Sequence, residues 1–219
     1  MPGPDGDPVV SRRTAPRAQA DETRARIVDA ALQALRSDGI AGASARAIAR
    51  HGGFNQALIF YHFGSVEGLL VAVARRESER RSKLYAPALR QATSLPELVR
   101  VARHLHEEEF ASGSVAALTQ MLAGAARSVE LARGTWDALE PWTTLVGETI
   151  ERLIADTPYR DVLPVADLTS AVTALFLGIE LYAGLDPDGR DGTLFTTMES
   201  VAALVDGMLR GAQPSGAGA

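Results

Sequence analysis

The chain has 219 residues, 46% of them hydrophobic, so it is long enough to bury a substantial core in one large domain or two smaller ones. It contains no cysteine, which excludes disulfide frameworks, thiolate metal sites and cysteine nucleophiles. The net charge of -5 is unevenly distributed, because residues 8–62 hold eight arginines against four acids and the remainder carries -9. A basic segment on an acidic body is expected where only that segment meets the phosphates of a nucleic acid.

The first twenty residues are rich in Pro, Gly, Asp and Arg and lack the apolar core of a signal peptide. This composition predicts a disordered basic arm over residues 1–20, with Arg12, Arg13 and Arg17 as its cations. The most apolar segment is interrupted by Glu180 and by glycines, so no apolar run reaches the length of a membrane span. We therefore predict a cytoplasmic protein without a membrane partner.

Hydrophobic periodicity and capping residues predict an all-α chain of about nine helices. In the first helix Asp21 is placed to act as N-cap, and Ile27, Ala31 and Leu35 fall on one face. Gly39 stands where a glycine in the left-handed region would end that helix. This amphipathic face is the first candidate for core.

Two short helices follow. Ser44 is a suitable N-cap for the segment ARAIARH, which Gly52 and Gly53 end, and Asn55 is placed to cap the segment QALIFYHF. Two short helices joined by a tight glycine turn form a helix-turn-helix, in which the second helix enters the major groove of DNA. Arg46 can reach a phosphate or a guanine edge from the first of them. The spacing alone also fits an ordinary pair of amphipathic helices.

The rest of the chain is predicted as six further helices separated by proline- and glycine-rich turns. A long fourth helix bends near Pro87, and the fifth carries Pro96 in its first turn. The remaining predicted helices cover 113–129, 131–156 with a kink at Pro141, 165–185 and 194–209.

Residues 23–70, and most densely 44–70, resemble the N-terminal domain of the tetracycline repressor (TetR) family of bacterial transcriptional regulators. The positions that carry the resemblance are Ser44, Arg46, Ile48, Ala49, Gly53, Asn55, Ile59, Phe60, His62, Phe63, Ser65, Glu67, Leu69 and Leu70. The resemblance implies a three-helix DNA-binding domain over 21–70 and a helical ligand-binding and dimerisation domain over 71–210. Residues 211–219 are predicted as a disordered tail.

The resemblance also implies which residues meet DNA. The predicted DNA-binding residues are Ser44, Arg46, Asn55, Gln56, Ala57, Leu58, Phe60, Tyr61 and His62. Phe63 is implied to be core. Two positions depart from the family, since Phe60 stands where a tyrosine is usual and Val66 where a lysine is usual. Both departures remove a contact to DNA, and they predict either a lower affinity for DNA or a greater reliance on the N-terminal arm.

Large side chains in the C-terminal helices are candidates for an effector pocket. They are Phe110, Met121, Trp136, Trp142, Phe176, Glu180 and Tyr182. They predict a hydrophobic or aromatic ligand, and a buried Glu180 would also accommodate a cation. The last two helices are the predicted dimer interface, through Leu168, Val172, Leu175, Ile179, Val201, Leu204, Val205 and Met208.

The sequence predicts neither an enzyme nor a metal or cofactor site. His104 and Glu108 share a helix face, but without a second cluster of ligands a solvated face is the favoured interpretation. The main hypothesis is a ligand-responsive repressor that binds a palindromic operator as a homodimer. The alternative is an all-helical dimeric ligand-binding or scaffold protein that does not bind DNA.

Overall fold

The computed structural model describes residues 15–126, 128–183 and 191–211, and within these ranges the chain is helical without strands. The helices are α1 (Ala15–Gly42), α2 (Ala45–Gly52), α3 (Ala57–Phe63), α4 (Val66–Gln91), α5 (Leu95–Ala111), α6 (Ser114–Ala125), α7 (Val129–Ala138), α8 (Glu140–Ile154), α9 (Val165–Ala183) and α10 (Asp191–Gly211). The predicted all-α class, with an N-terminal helix-turn-helix and a C-terminal helical region, is confirmed.

The described helices exceed the expected number by one. The segment predicted as a single kinked helix over 131–156 is two helices, α7 and α8, that meet at Leu139. Pro141 lies in the first turn of α8, where the missing N–H has no helical acceptor and the fixed φ of proline favours helix. Proline therefore begins a new helix here.

The chain divides into two compact units, residues 1–73 and residues 74–219, with the boundary inside α4. We call them the first and the second unit. The core of the first unit is made by fully buried side chains from each of its helices. These side chains are Ile27, Leu35, Ile48, Ile59, Leu69 and Val73.

Helix α1 begins earlier than the sequence indicates. Residues 15–20, predicted as part of a disordered arm, are helical, because this stretch contains three alanines and a glutamine and has Pro16 in its first turn. The rest of the predicted arm, residues 1–14, and most of the predicted tail, residues 212–219, lie outside the described residues. Gly39 interrupts the helical geometry with φ 67° and ψ 178°, so the turn before α2 starts where predicted.

In the second unit α5 packs against α10, α8 against α9, and α6 against α7 and α9. Tyr85, Leu89, Leu105 and Leu145 form a buried cluster at its centre. Helix α4 continues through Pro87 to Gln91. The guanidinium of Arg152 donates to the carbonyl oxygens of Leu89 and Ala92 at 2.7 and 2.6 Å, which satisfies acceptors at the C-terminal end of α4.

Helix α9 corrects one expectation from the sequence. By length and composition alone its 19 residues are apolar enough to cross a membrane, and few of them are buried within the chain. The helix nevertheless carries Asp167 in its first turn and a buried Glu180, and it packs against α8. The helix therefore has apolar residues that the described part of the chain leaves exposed.

Candidate DNA interface and ligand cavity

The end of α2 is built by two adjacent glycines with different functions. Gly53 has φ 63° and ψ 37°, a left-handed conformation that glycine adopts without strain, and its N–H donates to the carbonyl oxygen of Ala49. Gly52 lies so close to its neighbours that a Cβ there would be 2.2 Å from the ring of Phe54 and 2.8 Å from the Cβ of Ala30. The turn between the two short helices thus depends on both glycines.

Side-chain oxygens cap both short helices. Ser44 Oγ accepts the N–H of Ala47 at 3.3 Å, and Asn55 Oδ1 accepts the N–H of Ala57 at 2.9 Å. These bonds satisfy N–H groups that have no partner within a helix. Because Ile59 is fully buried in the first unit, the opposite face of α3 points to solvent. The sequence had predicted both caps.

An open cleft lies between α2 and the start of α3. It has a volume of about 590 Å³, and its polar lining comes from Arg46 and Arg50 on one side and Asn55 and Gln56 on the other. All four side chains are exposed. Guanidinium groups bind phosphates and guanine edges, and side-chain amides bind adenine edges and phosphates. The cleft therefore has the chemistry of a surface that binds double-stranded DNA.

The structure brings the predicted DNA-binding residues onto one surface. Ser44, Arg46, Asn55, Gln56, Ala57, Phe60 and Tyr61 are exposed, whereas Leu58 and His62 are half-buried. Tyr61 is 82% exposed, so its phenol is free to reach a nucleic-acid backbone. That these residues contact DNA remains a prediction. Arg50 is an addition to the predicted set, and its position four residues after Arg46 in the same helix is the signal that could have found it.

Two arginines of α1 hold the helix-turn-helix in place. The guanidinium carbon of Arg24 lies 4.4 Å from the centre of the Phe63 ring, and its Nη1 donates to the carbonyl oxygen of His62. Arg26 lies over the ring of Phe54 at 5.9 Å. Both arginines belong to the eight of the basic segment over residues 8–62. The structure shows that they also contact the aromatic side chains of the motif.

A polar cluster joins the C-terminal ends of α1 and α2. His51 Nε2 lies 2.9 Å from Asp38 Oδ2 and 3.4 Å from Ser37 Oγ, and Arg50 lies 4.0 Å from the same carboxylate oxygen. Hydrogen bonds from His51 and Ser37 hold the pKa of Asp38 below its ordinary value. Asp38 is therefore an ionised partner for the basic end of α2.

In the second unit a buried ion network joins α4 to α5. The carboxylate of Glu109, 2% exposed, accepts bonds from Arg80 Nη2 and, at 3.0 Å, from Arg81 Nε. Arg80 Nε also donates to Glu77 at 3.1 Å. Partial burial lowers the pKa of Arg80, but the hydrogen bonds and charges of Glu109 and Glu77 outweigh it and raise this pKa above its ordinary value. The network thus consists of two cations and two anions.

A small cavity of the second unit lies next to this network. Met121, Trp142 and Phe176 line it together with Ala74, Glu77, Ser78, Arg81, Ser114, Ala117, Leu139, Thr173 and Leu177. Its volume is about 20 Å³, enough for a single water molecule. The rings of Trp142 and Phe176 are 6.4 Å apart. Three of the predicted pocket residues therefore meet in one cavity.

The other predicted pocket residues lie outside this cavity. Trp136 is 71% exposed, Tyr182 is 56% exposed, and Phe110 is 51% exposed with its ring against His106. Glu180 is buried, but its Oε1 bonds to His106 Nδ1 at 3.0 Å beside the Phe195 ring. These residues therefore do not line this cavity, and a role for them in ligand binding stays a prediction; one carboxylate oxygen of Glu180 has a buried polar partner on α5.

The exposed faces of α9 and α10 carry large apolar side chains. Val172, Leu175, Leu181 and Tyr182 are exposed on α9, and Val201, Leu204 and Met208 on α10. Of the predicted interface residues, Ile179 is buried within the chain, and Leu168 and Val205 are half-buried. The opposite side of α10 packs on α5, where Asp206 accepts the N–H of Leu95 at 3.1 Å.

Across the described ranges, no group of three or more His, Asp and Glu side chains is arranged to hold a metal ion. His104 and Glu108 form an exposed pair at 3.3 Å on one helix face. Glu108 also accepts a hydrogen bond from the Tyr85 hydroxyl at 2.6 Å. Burial and that bond raise the pKa of Tyr85 well above its usual range, so the hydroxyl stays protonated.

The first unit matches known regulators in sequence. Residues 27–73 match the profile of the bacterial regulatory proteins of the tetR family. The helix-turn-helix-type transcriptional regulator SrpR of Pseudomonas putida is 39% identical over 69 residues, which are 31% of this chain and 32% of SrpR. The chain therefore spans about a third of the length of that relative.

Two further comparisons extend over most of the chain. The transcriptional regulator BetI 2 of Chromohalobacter salexigens is 25% identical over 182 residues, which cover 77% of this chain and 80% of BetI 2. The crystal structure of the multidrug binding protein EbrR with imidazole superposes with a TM-score of 0.63 at 26% identity, covering 89% of this chain and 93% of EbrR. Its complex with malachite green gives a TM-score of 0.57 at 25% identity, covering 85% and 96%.

Proposed function

Because the chain belongs to the TetR family of bacterial transcriptional regulators, we propose that it is a ligand-responsive repressor that binds a palindromic operator as a homodimer. The observation that carries the proposal is the exposed cleft formed by Arg46, Arg50, Asn55 and Gln56. Family members named among the relatives are transcriptional regulators rather than enzymes. The protein acts in the cytoplasm, where its operator is.

The exposed apolar faces of α9 and α10 support a homodimer. Leu204 and Met208 are 70% and 65% exposed in the single chain, although Leu and Met usually lie inside. A contiguous apolar surface of this kind is typical of an interface between proteins. Two helices from each copy form a four-helix interface around a twofold axis, and the same axis relates the two half-sites of a palindrome.

The effector binds in the second unit and lowers the affinity for DNA. Two recognition helices reach successive major grooves only when their separation matches one turn of DNA, about 34–36 Å. A ligand that binds better to a conformation with another separation therefore releases the operator. EbrR, the structural relative that binds imidazole and malachite green, supports an effector with aromatic rings.

The proposal is tested by selecting DNA fragments with the full-length protein, starting from its own upstream region and from a randomised library. The selected DNA is then titrated in fluorescence anisotropy against an unrelated fragment of equal length. We expect saturable binding to a palindrome, with a specific affinity at least about a thousandfold above that for unrelated DNA. A footprint should protect two half-sites one helical turn or a multiple of it apart.

The variant Arg46→Ala/Gln56→Ala should bind the selected DNA at least about tenfold more weakly. Arg133→Ala is the matched control, because Arg133 is an exposed arginine of α7. If the wild-type protein selects no sequence from either source, the repressor proposal is wrong. The alternative of a dimeric ligand-binding protein without DNA binding, motivated by Phe60 and Val66, would then be preferred.

A further inference from the structure

The cavity lined by Met121, Trp142 and Phe176 also contains two buried hydroxyl groups without hydrogen-bond partners among the described residues, which an ordinary packing defect in an apolar core would not have. We infer that it is the effector site, and that its ligand is an uncharged aromatic or alicyclic molecule with one hydrogen-bonding group held between Ser78 on α4 and Thr173 on α9. The inference rests on the proposed function for its regulatory consequence. The binding site itself is argued from the cavity alone.

The two hydroxyl groups identify the polar end of the ligand. Ser78 is 3% exposed and Thr173 is 8% exposed, and both side chains line the cavity. Within the described part of the chain neither hydroxyl oxygen has a hydrogen-bond partner. Buried hydroxyls are nearly always bonded, and leaving them unpaired destabilises the fold. A ligand with a hydroxyl, carbonyl or amide group would supply the partner.

The charged groups of the cavity argue against a charged ligand. Glu77 and Arg81 line the cavity, but Glu77 is bonded to Arg80 at 3.1 Å and Arg81 to Glu109 at 3.0 Å. The two guanidinium groups and the two carboxylates therefore compensate one another. A cation or an anion that entered would have to break one of these pairs or stay unpaired, and both are costly in a buried site.

The remaining lining is apolar, and it identifies the body of the ligand. Met121 is 1% exposed and forms the inner part of the lining, whereas Trp142 and Phe176 are only partly buried. The volume of about 20 Å³ is far below that of a ring-containing ligand, so binding requires the partly buried aromatic side chains to move outward. The flat or globular hydrocarbon part of the ligand then takes the place of the contacts that these two side chains lose.

Helix α4 connects this site to the DNA-binding residues along the chain. Ser78 lies 12 residues after Val66, the first residue of α4, and the helix is continuous between them. A bond from the ligand to Ser78 and Thr173 fixes α4 relative to α9, the helix that carries part of the proposed dimer face. The ligand thus favours one arrangement of these two helices, which is the differential binding that release of DNA requires.

The test uses four matched probes on the full chain. They are 4-tert-butylbenzyl alcohol, 4-tert-butylbenzylammonium, 4-tert-butylbenzoate and 4-tert-butyltoluene, which share a ring and differ in charge and hydrogen bonding. Because the chain has two tryptophans, Trp136→Phe leaves Trp142 as the source of tryptophan emission, and a titration reports on the cavity. Trp142→Phe is the control, since the emission of the exposed Trp136 should not respond.

We expect the neutral alcohol to quench Trp142 saturably and to bind at least about tenfold more tightly than either charged probe. In Ser78→Ala/Thr173→Val the alcohol should lose about tenfold in affinity, while the hydrocarbon 4-tert-butyltoluene keeps or gains affinity. Opposite changes for the alcohol and the hydrocarbon would show that the variant has lost a hydrogen bond to the ligand, because general damage to the fold would weaken the binding of both probes. Urea unfolding should show the double variant to be at least as stable as the wild type, because the two hydroxyls are unpartnered within the described ranges.

Ser82→Ala/Thr169→Val is the matched control. It removes one hydroxyl from each of the same two helices, but these hydroxyls donate to backbone carbonyl oxygens of their own helix. The inference is overturned if a charged probe binds as tightly as the alcohol. It is also overturned if the double cavity variant binds the alcohol as the wild type does, or if Trp142 does not respond up to the solubility limit of the alcohol.

A parallel anisotropy titration with selected DNA separates this inference from the proposed function. Binding of the alcohol to a protein that selects no DNA would retain the site and reject the repressor. Specific DNA binding by a protein that does not bind the alcohol would retain the regulator and reject the ligand class. We expect the alcohol to weaken DNA binding at least about fivefold in the wild type and not in the double cavity variant.

Discussion

The first unit and the second unit are each stabilised internally by a different kind of contact. In the first unit the caps join close neighbours in sequence, such as Ser44 with Ala47, the core is apolar, and the polar contact between distant residues, Arg24 with the His62 carbonyl, is exposed. In the second unit buried polar pairs join residues far apart, such as Glu109 with Arg80, 29 positions away, and His106 with Glu180, 74 positions away. The proposed DNA-binding surface therefore follows largely from local sequence, whereas the proposed ligand site follows from tertiary packing.

The largest effect should come from the ion network of the second unit. Glu109→Gln leaves Arg81, which is 9% exposed, without a buried counter-charge, and we expect a loss of about 3 kcal/mol in the free energy of unfolding. The matched control is Glu79→Gln, which removes an exposed partner of Arg75 and should cost less than about 0.5 kcal/mol. Urea unfolding measures both. A loss below about 1 kcal/mol for Glu109→Gln would remove the contrast between the units.

A second test concerns the exposed face of α10. Leu204→Glu places a charge in the proposed interface and should weaken dimerisation about a hundredfold, as measured by sedimentation equilibrium. Leu84→Glu is the control, because Leu84 is 53% exposed on α4, outside the two interface helices. If both variants dimerise as the wild type does, the face of α10 is not the interface.

A third test concerns the two adjacent glycines of the first unit. Gly52 is required because there is no space for a Cβ, and Gly53 because of its left-handed backbone conformation. Gly52→Ala forces a Cβ against Phe54 and Ala30, and we expect a loss of about 1–3 kcal/mol in the free energy of unfolding. Gly53→Asn has free space around it and needs a left-handed conformation that asparagine tolerates, so it should cost less than about 1 kcal/mol. Equal losses measured by thermal unfolding would contradict the close approach at Gly52.

The smallest effect is expected at Asp38. Because hydrogen bonds from His51 and Ser37 lower its folded-state pKa, the stability it contributes is present above its ordinary pKa of 3.8 and is lost as the pH falls through the folded value. Asp38→Asn should therefore lower the melting temperature at neutral pH and converge with the wild type in acid, once the pH has fallen below the lowered pKa of Asp38. Asp21→Asn, at an exposed position of the same helix, is the control. A difference that persists in acid would reject the ionised pair.

The sequence predicted those parts of the structure that depend on neighbouring residues. The caps by Ser44 and Asn55 and the glycine turn are local, and their positions agree with the structure. The contact of Arg24 with the His62 carbonyl joins residues 38 apart, and no pattern in the sequence indicates it. The bond between Glu180 and His106 is not indicated either, because it joins two helices at residues 74 positions apart. The sequence therefore suggests a pocket for Glu180 without showing this partner.

The measurement that tests the central claim most directly is the salt dependence of binding to the selected DNA, compared between the wild type, Arg46→Ala and Arg133→Ala. If the cleft of α2 and α3 binds the phosphate backbone, Arg46→Ala should reduce the slope of log affinity against log salt by about one. Arg133→Ala should leave the slope unchanged. An unchanged affinity and slope for Arg46→Ala would contradict the assignment of this cleft as the DNA-binding surface.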